Sequence, residues 1–149
     1  MGHLLFSRLL DGVEFVSLRE SIVTALFQPD MLCGAGIRTL GSDEQRYRPG
    51  AYHNGSSWPW DTTVIAIGLQ RHGFHKLSWD LMQRVLATCD AAPAFPEFAR
   101  GDSDRRIRFN DSIIDVIGVD GRRNRIEQPA QQIQAFTVGA VLAIKSQRK

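Results

Sequence analysis

The sequence predicts an all-α fold that is interrupted by long irregular loops. Apolar residues recur at helical spacing in four segments, whereas the stretch between the first two segments is dense in Gly, Pro, Asp and Arg. The chain has 149 residues, which suits one domain with a sizeable apolar core. We therefore expect a single domain over residues 1–149.

The first helix is predicted over residues 13–27. Its apolar residues recur at helical spacing and indicate one buried face: Val16, Ile22, Val23, Leu26 and Phe27. Pro29 ends this helix, and the connection that follows is too polar and too rich in Gly and Pro for a long regular element. Long loops inside a compact domain are more often functional than idle.

Two further helices are predicted in the middle of the chain. The first of them covers residues 59–72, with Ser57 as its N-cap and Gly73 as the residue that follows its end. Its apolar residues lie on more than one face, so we expect it to be buried on several sides. The next helix covers residues 78–89 and begins at Ser78, which we expect to cap it.

The last third of the chain is less regular until its final helix. Residues 113–117, followed by a turn sequence at Asp120-Gly121, leave two alternatives open, a small β-hairpin or a loop with one tucked apolar segment. A last helix is predicted over residues 131–145. Its apolar stripe contains Ile133, Phe136, Thr137, Ala140, Val141 and Ile144.

Charge and cysteine content argue against several classes of protein. The net charge is +2, and Asp102 and Asp104 dilute the densest basic run, at 105–108, so we expect no nucleic-acid partner. Cys33 and Cys89 lack metal-ligand spacing, which predicts reduced thiols in a cytoplasmic protein without a bound metal. No apolar run is long enough to span a bilayer, so we expect no membrane partner. The sequence contains no cofactor-binding motif that we recognise, so we expect no cofactor.

The stretch over residues 52–61 concentrates the chemistry of the sequence. It contains a Tyr, a His, an Asn, two Trp and an Asp on a backbone interrupted by Gly and Pro. Indole rings beside polar side chains suit a ligand with apolar faces and a rim of hydroxyls, and sugars are the commonest ligand of that kind. The alternative is that Trp58 and Trp60 only close the end of a helical core.

This stretch, which we call the aromatic block, resembles a known family when it is taken together with its upstream sequence. The matching segments are residues 28–31, 34–40, 47–49 and 52–61, with weaker similarity at 2–5, 95–98 and 129–136. They are similar to the C-terminal part of the amylo-α-1,6-glucosidase family, the glucosidase domains of glycogen-debranching-type enzymes. The resemblance implies a helical-hairpin segment of an (α/α)6 toroid, corresponding to roughly the last third of a family catalytic domain.

The resemblance also implies roles for individual residues. Inverting hydrolysis of a glycoside needs an acid and a base about 6.5–9.5 Å apart. Glu97 lies in the segment that carries the family's general base, although it is alternatively an ordinary exposed loop carboxylate. The family's acid comes from a segment upstream of those matched here, so we expect the purified chain alone to hydrolyse no α-glucoside.

The remaining site residues are expected to bind substrate or to support the loop. His53 and Asn54 would hydrogen-bond sugar hydroxyls, and Trp58 and Trp60 would stack on sugar rings. Arg38 is expected either to reach substrate or, as we favour, to brace the long loop through carbonyls or carboxylates. Asp61 would touch the ligand or act as a partner of the helix dipole. The predicted substrate-binding residues are therefore His53, Asn54, Trp58, Trp60, Arg38 and Asp61.

Three hypotheses follow for the function. The first is a glucosidase-type domain, truncated or part of a split enzyme, that acts on an α-glucan or oligosaccharide. The second is a non-catalytic carbohydrate-binding or interaction module derived from such a domain, and the third is a helical scaffold without a ligand. For the first two we expect a homo-oligomer or a complex with a chain that supplies the missing helices, since cut faces of a helical ring expose apolar surface.

Overall fold

The computed structural model of the chain describes residues 1–92, 94–110, 114–117, 120–126 and 129–147. This part of the chain is mostly helical, which confirms the predicted fold class. The helices are α1 (His3–Phe6), α2 (Val16–Leu26), α3 (Pro59–Arg71), α4 (His75–Ala91) and α5 (Ala135–Ser146). The strands are β1 (Leu32–Cys33), β2 (Gly36–Ile37), β3 (Ile114–Ile117) and β4 (Arg123–Ile126).

Helix α3 lies at the centre of the core and contacts α1, α4 and α5. Its buried residues lie on several faces, as the sequence predicts: Pro59, Thr62, Thr63, Ile65, Ala66, Gly68 and Leu69. Gly68 allows α1 to approach closely, because a Cβ there would lie 2.6 Å from the carbonyl carbon of Leu5. Helices α3 and α4 form the predicted helical hairpin, and Gly73 turns the chain between them with a φ of +84°.

The predicted caps of α3 and α4 are wrong. Trp58, rather than Ser57, is the N-cap residue of α3, and it makes no side-chain cap bond. Ser57 is displaced because its backbone pairs with Ala99 in both directions at 2.9 Å. Helix α4 begins at His75, so Ser78 lies in its first turn and its hydroxyl donates to the carbonyl of Ala66 at 2.7 Å. Ser78 therefore joins the two helices rather than starting one.

Two apolar stripes differ from the prediction at their N-terminal ends. Residues Val13–Phe15 form a 3₁₀ turn before α2, and Val16 is exposed, whereas Ile22 and Leu26 are buried as expected.

Helix α5 begins at Ala135 instead of 131, and both Ile133 and Phe136 are exposed. The physical reason is that the backbone before α5 hydrogen-bonds the segment at 95–97 and cannot join the helix.

The connection between α2 and α3 is long and irregular, as predicted. Its regular part is the antiparallel pair of β1 and β2, in which Leu32 lies opposite Ile37. Strands β3 and β4 form a second antiparallel pair with Ile114 opposite Ile126, which confirms the hairpin alternative. Gly121 lies between them with a φ of +74°, whereas residue 113 of the predicted segment lies outside the described part.

Both cysteines are free thiols, Cys33 buried and Cys89 half-buried. Burial, followed by the charge of Asp90, raises the pKa of Cys89 to about 11. Among the described helices, none combines the length and the apolar character that crossing a membrane requires.

Candidate active site

Three backbone segments meet at the N-terminal end of α3. Isolated antiparallel bridges join Arg38 to Ser57 and Ser57 to Ala99. The backbones of Gly55 and Gly101 lie so close together that a Cβ on Gly101 would collide with the carbonyl oxygen of Gly55. These contacts place the aromatic block directly against the segment that carries Glu97.

The side chain of Arg38 joins the connection between α2 and α3 to the segment at 101–102. Its side chain is buried, and its three guanidinium nitrogens donate to five backbone carbonyls at 2.6–3.1 Å. Those carbonyls belong to Pro29, Asp30, Leu32, Gly101 and Asp102. Charge-assisted bonds of this kind are strong, so the arrangement is a brace of the long loop. The guanidinium is engaged with the protein backbone rather than held out toward a ligand.

Glu97 is buried, with 6 % of its surface exposed, and three donors surround its carboxylate. The hydroxyl of Tyr52 donates to Oε1 at 2.6 Å, and the backbone N–H of Gln131 donates to Oε2 at 3.2 Å. The side-chain amide of Gln134 makes a longer contact with Oε1 at 3.5 Å. Glu97 is therefore not the exposed loop carboxylate that was its alternative reading, and its two oxygens are fixed in position by neutral groups.

Tyr52 is the site residue that sequence reasoning missed. The hydrogen bond to Glu97, then burial, then the charge of Glu97 raise its pKa to about 12, so the phenol keeps its proton and donates a hydrogen bond to the carboxylate. A signal was available, because Tyr52 opens the aromatic block next to His53. What the sequence did not reveal is that Tyr52 reaches a residue 45 positions further along the chain.

Trp58 forms the buried centre of an aromatic cluster. Its indole stacks near Phe98, with ring centroids 5.4 Å apart, and near His53, at 5.8 Å. Tyr52 meets it edge-on at 4.7 Å, and the indole N–H donates to the carbonyl of Tyr52 at 3.0 Å. This packing matches the alternative in which Trp58 closes the end of the core. The rings of Tyr52 and His53 both pack against Trp58.

Trp60 and Asp61 lie on a neighbouring face at the start of α3. Asp61 pairs with His3 at 2.7 Å, and burial raises the pKa of the Asp61 carboxyl, an effect that His3 and then His53 oppose. Trp60 is half-buried, with the rings of His3 and Phe136 each 5.7 Å away. A cavity of about 240 Å³ adjoins this face, with His3 and Asp61 in its lining.

The structure thus brings most of the predicted site residues to one end of the core. Glu97, His53 and Trp58 share one cluster through Tyr52. His53 and Asn54 are exposed to solvent on the loop that precedes α3. In the described ranges, no group of three or more His, Cys, Asp or Glu side chains is arranged to hold a metal ion.

Comparison with known families identifies the class of protein to which this arrangement belongs. The matching class is the glycoside hydrolases, and the match covers residues 10–108, more than half of the chain, including the aromatic block and Glu97. The chain belongs to the family described as the mannosylglycerate hydrolase MGH1-like glycoside hydrolase domain. This confirms a glycoside hydrolase-type domain but not the narrower amylo-α-1,6-glucosidase family. No curated protein matches the chain.

Proposed function

We propose that this chain forms the substrate-binding and water-activating part of a glycoside hydrolase site, with Glu97 as its general base. The observation that carries the proposal is the buried Glu97 carboxylate, held by Tyr52 and Gln131 beside the aromatic block. A general base must lie within hydrogen-bond reach of the proton that it takes, and the donors around Glu97 hold its carboxylate at a defined place. Family membership supports the reaction class, and the burial and hydrogen bonds of Glu97 support the choice of this residue.

The general acid is proposed to come from outside the cluster around Glu97. Asp102 and Asp104 are engaged by arginines, since Arg108 contacts Asp102 at 3.3 Å and Asp104 at 2.6 Å. Asp61 is paired with His3. We therefore propose that an acid on a partner, either a second copy or a chain that supplies further helices, completes the site.

The substrate proposed is a neutral α-glucoside, such as the α-1,6 branch of an α-glucan or oligosaccharide. Mannosylglycerate, which names the matched family, carries a carboxylate in its glycerate group. Recognition of such a charged substrate ordinarily uses an Arg or Lys partner, so the two glycosides make different demands on the site. The similarity of the aromatic block to debranching-type glucosidases supports the neutral glycoside.

Binding roles are proposed for the polar residues at the rim. The side chains of His53 and Asn54 are exposed, so their polar atoms can meet sugar hydroxyls. Free thiols at Cys33 and Cys89 support the further proposal of a cytoplasmic protein.

A second candidate function is non-catalytic carbohydrate binding. It is favoured by the contact of Asp61 with His3 and by the ion pairs of Asp102 and Asp104 with arginines, which leave Glu97 as the single carboxylate of its hydrogen-bonded cluster in the described ranges. Removing one of two cooperating carboxylates costs most of the chemical step, typically about 10²- to 10⁴-fold.

The test compares binding and hydrolysis in one preparation. Isomaltose, maltose and mannosylglycerate are titrated into the protein by calorimetry, and sugar release is measured for the wild type and Glu97→Gln. Binding of isomaltose with turnover that disappears in Glu97→Gln supports the hydrolase with its general acid on a second copy. Binding without turnover contradicts that arrangement and leaves two alternatives, the binding module and a hydrolase whose acid lies on a different chain. If none of the three glycosides binds, both candidate functions are wrong, and preference for mannosylglycerate overturns the neutral substrate.

A further inference from the structure

Phe136 is an aromatic residue that the core does not use. It lies in the first turn of α5 with 66 % of its surface exposed. Its ring centroid is 5.7 Å from that of Trp60, which in turn lies 5.7 Å from the ring of His3. Three rings therefore form a continuous surface at the N-terminal ends of α3 and α5, which we call the aromatic shelf (His3, Trp60 and Phe136).

The position of Phe136 is fixed by the same contacts that hold Glu97. Gln134, two residues earlier, donates its backbone N–H to the carbonyl of Phe95 at 2.9 Å and reaches Glu97 with its side chain. Thr137, the next residue, is buried and its hydroxyl donates to the carbonyl of Pro96 at 2.8 Å. The exposed ring is thus held at a defined place relative to the proposed base, without burial of its own.

We propose that the aromatic shelf stacks against a second pyranose ring of the glycoside, the one next to the sugar that is bound at Glu97. This inference rests on the proposed function. An exposed aromatic face that is held in place suits the apolar face of a sugar ring. His3 and Asp61, 2.7 Å from each other beside Trp60, supply polar atoms for its hydroxyls.

The polar edge of the shelf favours a sugar over a packed helix. Asp61 keeps about a quarter of its side chain exposed, at 24 %, and the side chain of His3 is 53 % exposed. An apolar helix covering the shelf would strip water from both groups and offer no hydrogen bonds in return, which is unfavourable for a carboxylate. Sugar hydroxyls replace those water contacts.

The test uses Phe136→Ala, since an exposed side chain can be removed with little effect on folding. The matched control is Leu142→Ala, because Leu142 lies on the same helix with 63 % of its surface exposed. Calorimetry compares isomaltose, which has two sugar rings, with methyl α-glucoside, which has one, and so separates binding of the second ring from binding of the first. We expect Phe136→Ala to weaken isomaltose binding about five-fold, which is the range of aromatic contacts, and to leave methyl α-glucoside binding unchanged. Phe136→Tyr should retain wild-type affinity.

Three results would overturn the inference. The first is equal isomaltose affinity for Phe136→Ala and Leu142→Ala while the wild type binds, which would leave the proposed function intact. The second is a wild type that sediments as a dimer and a Phe136→Ala variant that sediments as a monomer, which would make the shelf a contact between copies. The third is a wild type that binds no glycoside, which would contradict the proposed function as well.

Discussion

Tyr52 and Glu97, 45 residues apart in sequence, are joined by a 2.6 Å hydrogen bond from the phenol hydroxyl to Oε1. The bond ties the first residue of the aromatic block to the proposed general base. Because the indole of Trp58 packs edge-on against the Tyr52 ring, the aromatic cluster fixes the donor, and the donor fixes the carboxylate. Tyr52 therefore acts as a positioning residue in the proposed site.

The first prediction concerns the ionisation of Tyr52. In the wild type its phenol should titrate near pH 12, because the bond to Glu97, burial and the charge of Glu97 all raise its pKa. In Glu97→Gln the pKa should fall toward the ordinary value of 10.0. Near-ultraviolet absorbance measures the phenolate, and a Tyr47→Phe background leaves Tyr52 as the only tyrosine, since the chain has two.

The sign of the pH effect on stability follows from the raised pKa. The folded state holds the Tyr52 proton more tightly than the unfolded chain, so this stabilisation is complete below about pH 10 and is lost as the pH approaches 12. A phenol that titrates near pH 10 in the wild type would contradict the hydrogen bond.

The second prediction concerns Arg38. Replacing it with Lys keeps the charge but removes the planar set of donors, so several of the five buried carbonyl contacts are lost. We expect Arg38→Lys to lower the free energy of unfolding by about 2–4 kcal/mol, since each unsatisfied buried group costs about 1–3 kcal/mol. Urea denaturation measures it.

The control for Arg38 is Arg106→Lys, at an exposed position of the segment between α4 and β3. Its effect should stay within about 0.5 kcal/mol, as for most surface substitutions. Equal stability of the two variants would show that the Arg38 brace does not hold the loop.

The third prediction concerns the pair of His3 and Asp61. Burial raises the pKa of Asp61 above its ordinary 3.8 and His3 opposes the rise, so His3→Gln should raise the pKa of Asp61 further. Because a raised carboxyl pKa favours the folded state only at low pH, the contribution is complete below about 3.8 and is lost as the pH rises through the folded-state pKa. A carbon-detected NMR titration of the carboxyl measures it.

His75→Gln serves as the control for this titration, because His75 is exposed at the start of α4. An Asp61 pKa that is unchanged or lower in His3→Gln would show that the contact between His3 and Asp61 does not form in solution.

The fold was predictable where local signals agree with packing. The central helix α3 was found within a residue or two because its apolar residues are dense and Gly73 marks its end. The start of α5 was misplaced because residues that continue the helical pattern pair instead with the segment at 95–97. That pairing spans more than thirty positions, and periodicity within a window cannot detect it.

The site was predictable in its residue types but not in its contacts. Motif resemblance identified Glu97 and the aromatic block, whereas the bond between Tyr52 and Glu97 depends on how two distant loops meet. The sequence places Phe136 on the buried stripe of α5, whereas the structure buries Thr137, Ala140, Val141 and Ile144 and leaves Phe136 exposed. The local sequence pattern therefore predicts which residue types the site contains, whereas tertiary packing determines which of their side chains face solvent.

The most direct test of the account observes Glu97 itself during titration with isomaltose. The carboxyl resonance of Glu97 is assigned by its absence in Glu97→Gln, and the indole N–H of Trp60 is followed in the same sample. We predict that both signals shift in a saturable manner with one common dissociation constant. Saturating isomaltose that leaves the Glu97 carboxyl unshifted, or that moves only signals far from Tyr52 and Trp60, would contradict the claim that this carboxylate lies in a glycoside-binding site.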